Sequence, residues 1–156
     1  MHLSSDIGVW IGAFLTLGIF WNAQQTELNL FATADRDLSW LQLAFLATVA
    51  LMPFSTSLLA DFITFRLAVV AYWANILLLG VIVYLALLYA EGHGLMNKDT
   101  TPEMSRVIKW RIVAAQGLYA FGALLCLINP LWSIVFIVLV QLNFAIAPKI
   151  PILSRF

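Results

Sequence analysis

Residues 67–90 read LAVVAYWANILLLGVIVYLALLYA and contain no charged side chain. An α-helix rises 1.5 Å per residue, so about 20 apolar residues cross a hydrocarbon core that is ~30 Å thick. The stretch therefore predicts a membrane-spanning helix. Three further charge-free runs surround it, at residues 7–26, 38–60 and 112–148. The first two of these are each long enough for one crossing.

The run at residues 112–148 is too long for one crossing and contains Asn129 and Pro130 near its middle. Proline lacks an amide proton and restricts the residue before it, so an Asn-Pro pair favours a turn. We therefore divide the run into two helices. The alternative, one long kinked helix, would be longer than any common bilayer is thick.

The composition supports a membrane protein throughout. Hydrophobic residues make up 63% of the 156 residues, charged residues make up 10%, and the formal net charge is zero. Soluble domains are about 25% charged, so these residues cannot build a water-facing surface. We predict a single all-α transmembrane domain over residues 1–156, a polytopic bundle of about five helices. The predicted helices lie at residues 7–30, 38–60, 66–90, 107–128 and 131–147, with a cytoplasmic loop at 91–106.

Two details of this division concern helix ends. The first segment carries Asp6 in place of a basic region and has no clear cleavage site, so a retained helix is predicted in preference to a signal peptide. Thr101 and Pro102 could begin the fourth helix earlier than residue 107, with Thr101 as N-cap and Pro102 in the first helical position.

Basic residues near helix ends tend to stay on the cytoplasmic side. With five helices, the only basic residue assigned to one side is Arg66. The opposite side receives the rest: Arg36, Lys98, Arg106, Lys109, Arg111, Lys149 and Arg155. This asymmetry predicts an N-terminus outside and a C-terminus inside. Trp21 and Trp73 lie deeper than the other tryptophans and are predicted to pack between helices with the indole N–H bonded.

Signatures of catalysis or cofactor binding are missing from the sequence. His2 and His93 lie in predicted loops, Asp61 lies at a helix end where it could pair with Arg66, and no ionisable group lies at mid-depth of a predicted helix. We therefore predict no enzyme activity, no cofactor, no metal site and no nucleic-acid partner. The neutral polar residues inside the helices either hydrogen-bond between helices or line a pore.

A family resemblance appears in the first two helices. Residues 18–25 read GIFWNAQQ, residues 40–43 read WLQL, and Pro53, Phe54 and Thr56 follow. This order and spacing resembles the transmembrane protein 175 family, the endosomal and lysosomal potassium channels and their prokaryotic relatives. In that family the second helix typically ends in Gly-x-Phe-Trp-x-x-His-His, and the third carries Trp-Leu-Asn-Leu and Pro-Phe-x-Thr. The resemblance extends less specifically from about Ile11 to Pro148.

The sequence departs from the family pattern at two places. Gln24 and Gln25 stand where the family usually has histidines, and glutamine hydrogen-bonds but does not titrate. Nothing in the chain matches the family's first helix, which bears a Phe-Ser-Asp motif and lines the ion pathway. Family members have six helices with both ends cytoplasmic, so a unit lacking the first helix would have the five helices and the orientation predicted above. A short variant, a misplaced start and half of a split gene all remain open.

The resemblance implies a potassium-permeable leak channel subunit in the membrane, in contact with lipid and assembled as a homo-oligomer, a tetramer in prokaryotic relatives. A prokaryotic inner or plasma membrane is the expected location. The alternative is a non-conducting membrane scaffold or partner subunit. Structural support of the pore is expected from Trp21, Gln24 and Gln25, near the cytoplasmic end of their helix, and from Thr56 beside Pro53.

Overall fold

The computed structural model of the chain describes residues 2–146, and for residues 2–6, 8–9, 12–13 and 144–146 it describes the backbone alone. The described residues form five α-helices, as predicted. In chain order these are α1 (His2–Leu28), α2 (Arg36–Asp61), α3 (Arg66–Gly92), α4 (Pro102–Leu125) and α5 (Pro130–Ile146). The predicted end of the last helix at residue 147 and the basic residues Lys149 and Arg155 lie outside the described residues.

The fourth helix begins five residues earlier than the predicted range 107–128. Thr101 is its N-cap, where the hydroxyl accepts a hydrogen bond from the Met104 amide at 3.3 Å, and Pro102 opens the helix. Such a cap satisfies an amide that has no partner within the helix. Counting only the apolar part of the helix missed this turn because Glu103 and Arg106 are charged. The connection predicted at 91–106 is correspondingly shorter, since α3 continues to Gly92.

The third helix forms the centre of the bundle. It packs most extensively against α2, to which the short turn at residues 62–65 joins it, and also contacts α1, α4 and α5. Several of its side chains are fully buried, among them Val69, Ile76, Leu79 and Leu87. The charge-free stretch at residues 67–90 is therefore the core of the bundle.

The first and fourth helices lie on either side of α3 without packing against each other in the described part of the chain. Helix α1 packs on α2 and α5, and α4 packs on α3 and α5. At the α4–α5 contact Gly122 lets the helices approach closely, because a Cβ there would lie 2.9 Å from side-chain carbons of both Phe136 and Ile137. The separation of α1 from α4 leaves a groove with α3 at its base.

Large apolar side chains cover the outside of the bundle. Phe14, Leu67 and Ile128 are each more than three-quarters exposed, and a monomer in water rarely exposes apolar patches of this extent. By length and composition, α2 and α3 pass as candidate membrane spans among the described residues, and residues 130–143 of α5 form a shorter apolar helix. An apolar outer surface of this kind suits contact with lipid tails.

Three predictions for individual side chains were wrong in whole or in part. Trp21 is 59% exposed. Trp73 packs partly buried against the core, as predicted, but its indole N–H has no hydrogen-bond partner. An indole on a lipid-facing surface already has an apolar neighbour, so depth along a helix does not by itself predict burial. Arg66 does not pair with Asp61. Its guanidinium donates to the Leu127 carbonyl at 3.2 Å, which ties the start of α3 to the α4–α5 turn.

Candidate functional site

The structure separates the three predicted support positions on α1. Gln24 is 5% exposed, and its Nε2 donates to Oε1 of Gln42 on α2 at 3.0 Å. Trp21 and Gln25, four residues apart, share the outer face and are exposed. Of the three, only Gln24 therefore joins α1 to a neighbouring helix.

Thr56 lies beside the helix proline, as expected from the sequence. It is 9% exposed, and its hydroxyl donates to the Met52 carbonyl at 2.8 Å. The Ser55 hydroxyl donates to the same carbonyl at 3.1 Å. Pro53, inside α2, cannot donate a helical hydrogen bond, and side-chain hydroxyls in this position accompany helix bends. Thr56 thus contacts its own helix and makes no hydrogen bond to another one.

The interior of the bundle contains a set of hydrogen-bonded polar side chains. Tyr72 of α3 has its hydroxyl 3.2 Å from the Thr16 hydroxyl of α1 and accepts from Gln141 Nε2 of α5 at 3.1 Å. Deeper in α2 and α3, Asn75 Nδ2 donates to the Ser55 hydroxyl at 3.1 Å. These groups are buried and bond helix to helix, the alternative that the sequence could not separate from pore lining. The centre of the single bundle is occupied by its own side chains.

A groove with a volume of about 680 Å³ lies between α1, α3 and α4. Its base includes Gly80, over which the side chain of Gln116 lies, with Nε2 3.4 Å from the Ile76 carbonyl. A Cβ on residue 80 would overlap that amide, so a glycine is needed for this contact. Gln116 Oε1 is buried without a hydrogen-bond partner.

One end of the groove is polar and was not predicted as a site. Glu27, in the last turn of α1, is 3% exposed and has one carboxylate oxygen without a hydrogen-bond partner. Arg111 of α4 lines the same groove. In the sequence, Glu27 is only a charge at the end of an apolar run. Its position in the helical repeat, however, indicates the buried face of α1. Thr16, Phe20, Gln24 and Glu27 follow at intervals of three and four residues, which places all of them on one face.

The two connections at the same end of the bundle pack together. The Phe31 and Met96 backbones form an isolated antiparallel bridge. His93 stacks on Tyr89, and the Tyr89 hydroxyl donates to Asp35 Oδ2 at 2.7 Å. His93 is thus held by an aromatic neighbour, and no cluster of three metal-ligating His, Cys, Asp or Glu side chains was found among the described residues.

Asp35 is the electrostatic centre of these connections. Its Oδ1 accepts from the Leu38 amide at 2.8 Å, which makes it the N-cap of α2. Hydrogen bonds hold the pKa of this carboxyl below its usual range. The bond from the Leu38 amide has the largest effect, and the bond from the Tyr89 hydroxyl has the next largest. On the neighbouring helices, Lys109 forms an ion pair with Glu91 at 2.6 Å, and Ser105 also hydrogen-bonds Glu91.

Comparisons with known proteins agree with the resemblance in the residues. A sequence model of the family described as endosomal/lysosomal potassium channel TMEM175 matches residues 1–53. The match includes Trp21, Gln24 and Gln25 and ends at Pro53. A protein of Danio rerio named endosomal/lysosomal proton channel TMEM175 is 24% identical over 153 residues, which is 98% of this chain and 29% of that relative.

The chain thus spans less than a third of the curated relative that it matches. The names of the family and of the relative differ in the ion, potassium for the family and proton for the relative. Both comparisons nevertheless find the family that the residues of α1 and α2 indicate. The chain is an integral membrane protein that is similar to the TMEM175 family, through the family model over residues 1–53 and through the Danio rerio relative over nearly the whole length of this chain.

Proposed function

We propose that the chain is a subunit of a potassium-permeable leak channel of the TMEM175 type. The observation that supports this function is the similarity to the Danio rerio protein over 98% of the chain. The family is described as potassium channels, and the relative's name makes the proton the competing candidate for the permeant ion.

The packing favours a pathway formed between chains. The interior of one bundle is filled by side chains such as Tyr72, Asn75 and Ile76, which are buried and in contact with their neighbours. Five helices of this length are consumed by packing, so a central pore requires several copies. We propose a homo-oligomer, and a tetramer by family resemblance. Trp21, Gln24, Gln25 and Thr56 would support that pore from behind, Gln24 through its bond to Gln42.

The same filled interior favours a second candidate, a non-conducting scaffold or partner subunit. A chain whose own centre is occupied contributes no pathway unless copies assemble around one. The two candidates therefore differ in assembly as well as in flux.

Covalent crosslinking in native membranes tests the assembly. We expect a ladder that ends at four copies, since lipid-exposed helix faces of neighbouring copies would lie within reach of a short crosslinker. Monomer alone, at crosslinker concentrations that trap a known tetramer in the same membrane, would contradict the oligomer.

Flux from liposomes that contain the purified 156-residue chain tests conduction. A potassium gradient and a proton gradient are applied separately, with protein-free liposomes as the control. Potassium flux at matched driving force supports the proposal. Flux of protons without potassium would reassign the ion. The absence of both, in preparations where crosslinking gives the oligomer, favours the scaffold. Flux from a longer product that begins upstream, and not from this chain, would support truncation of a channel subunit.

A location in a prokaryotic inner or plasma membrane, with the N-terminus outside, completes the proposal. It rests on the family resemblance and on the distribution of basic residues. The name of the Danio rerio relative places that protein in endosomes and lysosomes. Fractionation of cells of the source organism measures the location directly.

A further inference from the structure

The groove between α1, α3 and α4 has a polar end that lacks partners. Glu27 lies there with its side chain 97% buried, as its exposed fraction is 3%, and one carboxylate oxygen accepts no hydrogen bond. A buried carboxylate oxygen is unfavourable unless a donor reaches it. An unsatisfied acidic group at the edge of an open groove therefore indicates a ligand that carries a donor.

An arginine side chain also lines the groove. Arg111 of α4 is exposed there. Across the described residues, the ion pair that forms is Lys109 with Glu91, and Arg111 and Glu27 are not paired. The groove thus presents an acceptor without a partner, Glu27, and a guanidinium donor, Arg111, to one ligand.

The rest of the groove is apolar and runs along the helices. On α1 it extends from Glu27 to Phe14, which is 13 residues or roughly 20 Å of helix. One leaflet of the hydrocarbon core is about 15 Å thick. Gly18 leaves open space midway along the wall, and Phe14 at the far end is 77% exposed. The apolar part therefore opens toward lipid and has the length of an acyl chain.

We propose that this groove binds one phospholipid with a primary ammonium in its headgroup, of the phosphatidylethanolamine class. The ammonium donates to Glu27, the phosphate accepts from Arg111, and one acyl chain lies along α1 between Gly18 and Ala115. Hydrogen-bond complementarity selects this ligand. A trimethylated headgroup has no N–H to donate to Glu27, and an anionic headgroup without an ammonium leaves Glu27 unsatisfied.

Native mass spectrometry of the purified full chain in detergent tests the proposal. Phosphatidylethanolamine and phosphatidylcholine with identical acyl chains are added in equal amounts, and their retention is compared. Because methylation removes the N–H groups that donate to the buried Glu27 oxygen, we expect about tenfold preference for phosphatidylethanolamine. Equal retention of the two lipids would overturn the proposal.

Variants locate the contacts. Glu27→Gln should reduce the preference to within about twofold, whereas Glu103→Gln, an exposed carboxylate in the first turn of α4, should leave it unchanged. Arg111→Gln should weaken both lipids, and Arg106→Gln, also exposed, serves as its control. A Glu27→Gln variant that keeps the preference would contradict the assignment.

A further variant keeps the test independent of the charged residues. Gly18→Leu places a side chain in the open part of the groove, so both lipids should be lost while the helix gains propensity. Retention unchanged by Gly18→Leu, or efficient disulfide formation between copies through Gly18→Cys, would show that no acyl chain occupies the groove. Lipid binding is read without flux, so it stands or fails separately from the channel function.

Discussion

At the scale of single residues, Asp35 shows how much structure one carboxylate organises. It caps α2 through Oδ1 and binds the Tyr89 hydroxyl through Oδ2, so it joins the α1–α2 connection to the end of α3. Tyr89 in turn stacks on His93. Both contacts favour the ionised carboxylate, which is why its pKa lies below 3.8.

Replacement of Asp35 should lower the melting temperature of the purified chain in two steps. Asparagine keeps an acceptor for the Leu38 amide and loses the charge, and alanine loses both. We expect the order wild type, Asp35→Asn, Asp35→Ala at pH 7. Asp99→Asn, in an exposed loop position, is the matched control. Equal melting temperatures of wild type and Asp35→Ala would contradict the capping role.

The pH dependence of that difference has a definite sign. The folded pKa of Asp35 is lowered, so the stability from its ionised form is present above the unfolded value and is lost as the pH falls through the lower, folded value. The gap between wild type and Asp35→Asn should therefore be full at pH 6–7 and shrink below about pH 3.8. A difference in melting temperature that grows on acidification would contradict stabilisation by the ionised Asp35 carboxylate.

At the scale of helices, the close contact between α4 and α5 depends on Gly122. Ser133 is fully buried, and its hydroxyl donates to the Gly122 carbonyl at 2.6 Å. Small residues at such contacts let helix backbones approach within a membrane. The contact is built from one glycine and one serine eleven residues later, on either side of the Asn129-Pro130 turn.

Gly122→Ala and Gly117→Ala should have opposite effects on the free energy of unfolding. Alanine gains about 1 kcal/mol of helix propensity at either position. At position 122 the new Cβ meets Phe136 and Ile137 at 2.9 Å, and overpacking costs about 1–3 kcal/mol. At position 117 it meets open space. Equilibrium unfolding in mixed micelles measures the free energy of unfolding of both variants. If Gly122→Ala and Gly117→Ala stabilise the chain to a similar extent, the close contact between α4 and α5 is refuted.

The sequence predicted the positions of the helices better than it predicted which side chains face the interior. The charge-free runs and the Asn-Pro pair predicted the five helices. They could do so because moving a charge out of water is costly, and charged residues therefore mark the ends of helices in a bilayer. Trp21 was misjudged because lipid and protein interior are similarly apolar, so hydrophobicity does not tell which face is buried. Glu27 was missed because a charge was read as a boundary, although its helical phase with Phe20 and Gln24 indicated the inner face.

At the scale of the whole molecule, the predicted orientation of the bundle depends on the positions of two connections, the turn at residues 62–65 and the loop at residues 93–101. Helix α3 separates the turn at residues 62–65 from the connection at residues 93–101, and its 27 residues span about 40 Å. We therefore expect the two connections to reach opposite sides of a bilayer. The connection at 93–101 lies with the basic residues Arg36, Lys98 and Arg106, which favour the cytoplasm.

Single cysteines in the two connections should label from opposite sides. Thr64 and Asp99 are both exposed, and the native Cys126 is 2% exposed, so the background should be low. With a membrane-impermeant maleimide, Thr64→Cys should react in right-side-out vesicles and Asp99→Cys in inverted vesicles, each at least about tenfold faster than in the other preparation, because a charged reagent crosses a hydrocarbon core poorly. Neither substitution removes a basic residue, so the determinants of orientation stay intact. The reverse pattern would place the N-terminus inside and overturn the assignment, and labelling of both cysteines from one side would mean that α3 does not span the bilayer.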